Sequence, residues 1–295
     1  MRSLNFSERL IDPRSPDRRP RRVAYALPTI FTAGNVFLGF LAVMRAYQGA
    51  ILASSGFYGH NPHFEAAAVM IGVAVFLDGL DGRIARMTNT TSDFGREMDS
   101  LADAISFGIA PAVLAFAWGF QFIDGSWQGL LREHIQRAGY FFTFLFLLCG
   151  AARLARFNVQ KNPVPKNPGR ADRKYFVGLP IPAVAGFVAA VVYAADSVPL
   201  RDWPLSLVWL ALLALLSFLM VSTWRYWSFK DLNLTRPRSP LIVIVYGALI
   251  YLIWNYPQPV LLAIAITYVS SGILIRIGGV LRRRFRPGST EPRHA

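Results

Sequence analysis

The chain has 295 residues, 54% apolar and 16% charged, with a mean hydropathy of +0.36 and a formal net charge of +14. Its apolar residues come in blocks of about 17 to 25, the length a helix needs to cross ~30 Å of hydrocarbon, and not in the periodic patterns of a soluble core. That excludes an ordinary water-soluble domain, and the lone cysteine, Cys149, excludes an intrachain disulfide and a cysteine metal cluster.

In chain order, residues 1–24 are polar and Arg-rich, without the short apolar stretch and small-residue cleavage site of a signal peptide, and read as a cytosolic tail. Eight apolar blocks follow, at Tyr25–Gln48, Phe64–Arg86, Met98–Phe120, Ala138–Phe157, Val177–Ala195, Trp203–Val221, Leu241–Asn255 and Val260–Ile277. The last two are joined only by the hairpin YPQP, and residues 278–295 form a second basic tail. The expected protein is therefore an all-α integral membrane protein of about eight transmembrane helices. Its membrane domain covers residues 25–277 between two cytosolic tails.

Orientation follows from the cations. With the N-terminus in the cytosol, all of the 31 Lys and Arg residues except Arg45, Arg132, Arg137 and Arg201 fall on cytosolic segments or the span ends beside them. This is the positive-inside bias, and it places both termini in the cytosol. The same bias accounts for the net charge without nucleic acid, for which no motif is present. Clusters such as Arg18–Arg22 and Arg282–Arg286 would also attract anionic headgroups.

The second and third blocks carry an unusual set of carboxylates. Asp78 and Asp81 lie three apart near the cytosolic end of the second, and Asp99 and Asp103 four apart near the start of the third. On helices each pair shares a face. The eleven residues from Met87 to Glu97 make the expected connection, so an antiparallel pair of helices brings all four together. A carboxylate within a span is costly, and four converging ones repel, whereas a divalent cation removes both problems. All-oxygen ligands suit Mg²⁺, Mn²⁺ or Ca²⁺; zinc would need His or Cys, and none of the four histidines is near. Asp93 and Glu97 read as solvated interface charges. Gly82, Arg86 and Ser92 accompany the acids, and together they describe a cytosolic site for a pyrophosphate-bearing substrate held through metal ions. Two competing readings remain at this level: capping and pairing with Arg83, Arg86 and Arg96, or an ion or proton relay in a transporter.

With its spacings the stretch is Asp78-x₂-Asp81-Gly82-x₂-Ala85-Arg86-x₈-Gly95-x₃-Asp99-x₃-Asp103, eight specified residues over 26 positions. It resembles, at every fixed position, the signature of the CDP-alcohol phosphatidyltransferases. The resemblance implies a membrane-embedded helical enzyme, usually homodimeric, that transfers a phosphatidyl group from a CDP-linked lipid to an alcohol and releases CMP. It implies that Asp78, Asp81, Asp99 and Asp103 hold two divalent ions, Mg²⁺ or Mn²⁺. It also implies that Asp103 is the general base, and that Gly82, Arg86 and Ser92 hold the CDP moiety.

A weaker match opens the first block, where the family often has Pro-Asn-x-x-Thr. Here Pro28 and Thr32 fit, Thr29 stands where Asn is usual, and Asn35, near Thr32, shares the nucleotide role or makes an interhelical hydrogen bond. Two further stretches, Gly150–Asn158 (GAARLARFN) and Phe176–Gly186 (FVGLPIPAVAG), look like the bacterial members of the family that make phosphatidylserine. That implies CDP-diacylglycerol and L-serine as substrates, in the plasma (inner) membrane, with the site facing the cytosol. Other acceptors would be glycerol 3-phosphate, inositol phosphate or choline. Arg153 and Arg156 would hold the lipid phosphate or the serine carboxylate, or simply anchor the span by the positive-inside rule.

Overall fold

The computed structural model describes residues 22–88, 93–124, 129–161, 175–227 and 240–284. The chain runs α1 (Arg22–Ser54), α2 (Pro62–Thr88), α3 (Asp93–Asp103), a π-helical turn (Ala104–Ile109), α4 (Ala110–Gly119) and α5 (Gly129–Lys161). Then come β1 (Tyr175–Val177), α6 (Ile181–Ala194), α7 (Trp203–Val221), β2 (Arg225–Trp227), α8 (Pro240–Asn255) and α9 (Pro257–Arg284). Each of the eight expected blocks holds a helix, the fifth only from Ile181 on, with α3, the π turn and α4 forming one rod.

Among the described residues, six helical segments are long and apolar enough to cross a membrane: Ile30–Ser54, Pro62–Leu80, Glu97–Gly119, Gly129–Asn158, Trp203–Val221 and Pro257–Gly278. The expected fifth span is shortened to α6, 14 residues. Such a helix rises only about 21 Å. Its upstream residues leave the helix because Gly178 takes φ +78° and Pro180 precedes the first helical residue. Residues 175–177 instead pair antiparallel with β2, Phe176 opposite Tyr226. This small ribbon departs from the all-α expectation. Helix α8, at 16 residues, is also short. The connection between the two acidic helices is shorter than expected: α2 continues to Thr88 and α3 begins at Asp93. Both basic tails lie largely outside the described residues.

The core is built on close helix approach. Ala42, Ala46, Ala50 and Ala53 of α1 are buried beside Ala67, Ala68, Ile71 and Ala74 of α2, and these two helices share the most extensive contact in the fold. Small residues let helix backbones approach closely in lipid, where dispersion and hydrogen bonding replace the hydrophobic drive. Helix α7 joins α4 through Trp209, whose Nε1 donates to the Ala115 carbonyl at 3.1 Å and whose ring meets Trp118 edge-on at 5.2 Å. Ser206 Oγ donates to the Gly119 carbonyl at 2.9 Å. Hydroxyls inside the spans bond their own helix, as Thr143 Oγ1 does to Gly139 and Ser217 Oγ to Leu213, both at 2.7 Å. Such bonds are what a polar group needs where water is absent. Phe37, Phe40, Phe76, Phe144 and Phe218 point outward, as they should toward lipid.

Next to the acidic turn, α1 approaches the π turn closely. A Cβ on Gly39 would lie 2.5 Å from Ser106 Oγ and 2.7 Å from Ser106 Cα. Gly39→Val is therefore expected to destabilise the fold by about 1–3 kcal/mol, the usual cost of overpacking. Thermal unfolding in detergent checks this, with Gly34→Ala, where a Cβ meets nothing within 4 Å, as the neutral control.

Candidate active site

The site lies where the C-terminal part of α2 meets α3. Asp78, Asp99 and Asp103 are each half-buried, and one carboxylate oxygen from each lies within 4.8 Å of the other two. At this spacing two unit charges repel by about 3 kcal/mol per pair for an effective dielectric near 20. A cation between them, or a shared proton, relieves that repulsion. The antiparallel arrangement supplies the geometry: α2 brings Asp78 late in its course, and α3 brings Asp99 and Asp103 within its 11 residues. Asp81, Gly82 and Arg86 lie on the same last turns of α2, and Thr29 on α1, but their side chains, and all of Ser92, fall outside the described residues.

Directly after Asp103 the helix widens. The amide of Ala110 donates to the Ile105 carbonyl, five residues back, rather than to Ser106. Pro111 explains the change, because it has no N–H for the Phe107 carbonyl and its ring displaces the regular turn. Ser106 Oγ uses the opening to donate to the Asn35 carbonyl of α1 at 2.8 Å. Asn35 thus makes an interhelical bond through its backbone, and its side-chain Oδ1 is buried with no hydrogen-bond partner among the described residues. Thr32, one turn earlier, is also buried. The π turn was not legible in the motif, although Pro111 eight residues past Asp103 is a signal for it.

Helix α5 forms the third wall. Asn158 Nδ2 donates to Ser100 Oγ at 2.9 Å, tying α5 to the acidic turn. Arg153 interacts electrostatically with Asp103, with Tyr268 of α9 and with Arg156. Its Nε is buried and has no acceptor among the described residues. Arg156 extends instead toward the last carbonyls of α7, with Nη1 3.5 Å from the Val221 oxygen, a long contact favoured by the negative end of that helix. The two arginines are therefore not equivalent: Arg153 lies within electrostatic range of Asp103 and Tyr268, and Arg156 reaches a helix terminus.

Behind Arg153 stands an aromatic pair that the sequence did not single out. Tyr226 of β2 is fully buried, its ring centroid 6.0 Å from that of Tyr268. Gly272, one turn after Tyr268, makes room for it, since a Cβ there would collide with the Tyr226 ring. Burial pushes the Tyr226 phenol up to about 12, so at neutral pH it remains protonated. These residues were missed because 225–227 read as part of the connecting segment after the sixth block and Tyr268 as one more residue of the eighth, and the pairing of 175–177 with 225–227 is a long-range event.

Chemically, the arrangement offers an all-oxygen donor set at the end of a helix pair, and a cation beside it. The oxygen-only set fits Mg²⁺ or Mn²⁺ better than zinc. A family model described as CDP-alcohol phosphatidyltransferase matches residues 25–216. A protein of Helicobacter pylori (strain ATCC 700392 / 26695) named CDP-diacylglycerol–serine O-phosphatidyltransferase is 34% identical over 233 residues, which cover 79% of this chain and 84% of its own. Proteins of the same name from Saccharomyces cerevisiae and Mycobacterium leprae are 38% and 40% identical, each over 54% of this chain, and over 50% and 44% of their own. The matched region contains every acidic residue of the site.

Proposed function

Because this chain belongs to the CDP-alcohol phosphatidyltransferase family, we propose that it transfers the phosphatidyl group of CDP-diacylglycerol to the hydroxyl of L-serine, giving phosphatidylserine and CMP. The observation that carries the reading is the convergence of Asp78, Asp99 and Asp103 inside the family match. The relatives' shared name and the Gly150–Asn158 stretch support serine as the acceptor.

In this reading Asp78, Asp81, Asp99 and Asp103 hold divalent ions, two per site, either Mg²⁺ or Mn²⁺. When bound, such ions neutralise the pyrophosphate and the charge that develops on its oxygens. Gly82, Arg86 and Ser92, with Thr29, Thr32 and Asn35 from α1, hold the CDP moiety. Arg153 holds an anionic group of the substrates, either the serine carboxylate or the lipid phosphate. Asp103 accepts the proton of the serine hydroxyl as its oxygen bonds to the lipid-linked phosphorus. The bond from that phosphorus to the CMP oxygen breaks, and CMP departs. The protein works as a homodimer in the plasma (inner) membrane, with eight crossings, both termini in the cytosol and the site on the cytosolic side. The distribution of Lys and Arg supports that orientation.

The test is CMP release by the purified protein from CDP-diacylglycerol in detergent micelles with Mn²⁺ or Mg²⁺. Serine is compared with glycerol 3-phosphate, inositol phosphate and choline. Release dependent on serine is the expected result. Release with a different alcohol alone would keep the family chemistry and overturn the acceptor. Ion flux in liposomes without CDP-lipid, and no CMP release, would overturn both.

A further inference from the structure

Helix α9 lies wholly beyond the region that the family model matches, yet it reaches the site. It packs on α6 and on β2, and it brings Tyr268 within electrostatic range of Arg153. Three features meet there. The Arg153 Nε has no acceptor among the described residues. Tyr268 interacts with the same guanidinium, which in turn interacts with the proposed base Asp103. Tyr226 presents a second, fully buried hydroxyl with no partner among the described residues, behind Tyr268 and against Gly272.

This is a group of hydrogen-bond donors with one cation, set to the side of the acidic cluster. Its chemistry is opposite to that of the metal cluster. It suits a small anion, and its cation lies within electrostatic range of Asp103, the proposed base. A protonated phenol donates to a carboxylate, while a second buried phenol fixes the first by packing. Sites that hydrogen-bond a specific substrate group reject analogues lacking it far better than apolar pockets reject a change of size.

Resting on the serine reading above, we propose that Tyr268, backed by Tyr226, is a specificity-determining residue of the acceptor subsite: its hydroxyl donates to the acceptor carboxylate that Arg153 holds. Helix α9 therefore selects an amino-acid alcohol over an amino alcohol. The C-terminal helices are part of the enzyme's recognition of substrate and not only extra membrane anchors.

The experiment uses the full chain in detergent with CDP-diacylglycerol and Mn²⁺, and compares serine with ethanolamine, which has the same hydroxyl and amine but no carboxylate. Tyr268→Phe is expected to raise the serine KM about tenfold and lower the serine-to-ethanolamine ratio of kcat/KM by a similar factor. The CDP-diacylglycerol KM, expected to move less than twofold, reports an intact donor site. Tyr226→Leu, which removes the ring that packs on Tyr268, shifts serine KM in the same direction by a smaller factor, and it keeps the question open to test should Tyr268→Phe fold poorly. An unchanged serine KM and ratio in both variants overturns the proposal. If the wild type uses another alcohol and not serine, the acceptor reading fails separately, and an unchanged KM for that alcohol in Tyr268→Phe overturns the role of Tyr268 as well.

Discussion

Asp103→Asn is expected to lower serine-dependent CMP release by at least about 10³-fold, with the protein still folded. The proposed role as general base accounts for most of the loss, because positioned proton transfer contributes 10²–10⁴-fold and an amide cannot accept the proton. Asn keeps the shape of the side chain, so the helix geometry at the start of the π turn has no steric reason to change. Two further contributions add to the loss. Asp103 is one of the three carboxylates that converge, so its removal also weakens any ion held there. It is also the acid that Arg153 interacts with, so the arginine loses part of its orientation. The measurement is initial-rate CMP release at saturating CDP-diacylglycerol and serine, with Asp103→Glu as a second variant. A restored rate in Asp103→Asn, within about tenfold of wild type, would remove Asp103 from the chemistry.

The second large effect concerns the metal. Chelation is expected to abolish activity, and Mn²⁺ or Mg²⁺ to restore it. Asp78→Asn is expected to raise the half-saturating Mn²⁺ concentration at least about tenfold, because one of three converging oxygen donors loses its charge. The readout does not depend on turnover alone. A ligand that binds only the folded state stabilises it by about 2.7 kcal/mol at 100 times its Kd, so Mn²⁺ should raise the wild-type melting temperature and raise that of Asp78→Asn much less. Equal metal-induced shifts in both proteins would show that the carboxylates converge for another reason.

Much of the fold and of the acidic site was legible because both are written in local terms. A span is a run of apolar residues, and Asp78-x₂-Asp81 and Asp99-x₃-Asp103 are helical spacings whose faces follow from 3.6 residues per turn. What escaped depends on residues distant in sequence. The fifth block is apolar enough to span, yet it loses its first turn to Gly178, Pro180 and pairing with β2 about fifty residues later. Arg153 and Arg156 look alike in the sequence, and only the position of α7's end and of Tyr268 separates them. Tyr226 is an ordinary aromatic in a polar stretch until Gly272 opens a place for its ring.

The widened turn between Asp103 and α4 has a consequence for how the chain tolerates insertions and deletions. In a regular α-helix each residue advances the angle by about 100°, so one residue more or less rotates everything beyond it by that amount. The five-residue bond of Ala110 to Ile105 absorbs one such residue. It separates the angular phase of the acidic turn from that of the apolar rod behind it. The face that meets α2 and the face that meets the core are therefore set independently, like two gears on one shaft joined by an offset. Straightening the segment 104–109 into regular helix would leave the hydropathy of the span untouched, and a sequence search for membrane helices would not notice. The aspartates, however, would no longer share a direction with Asp78.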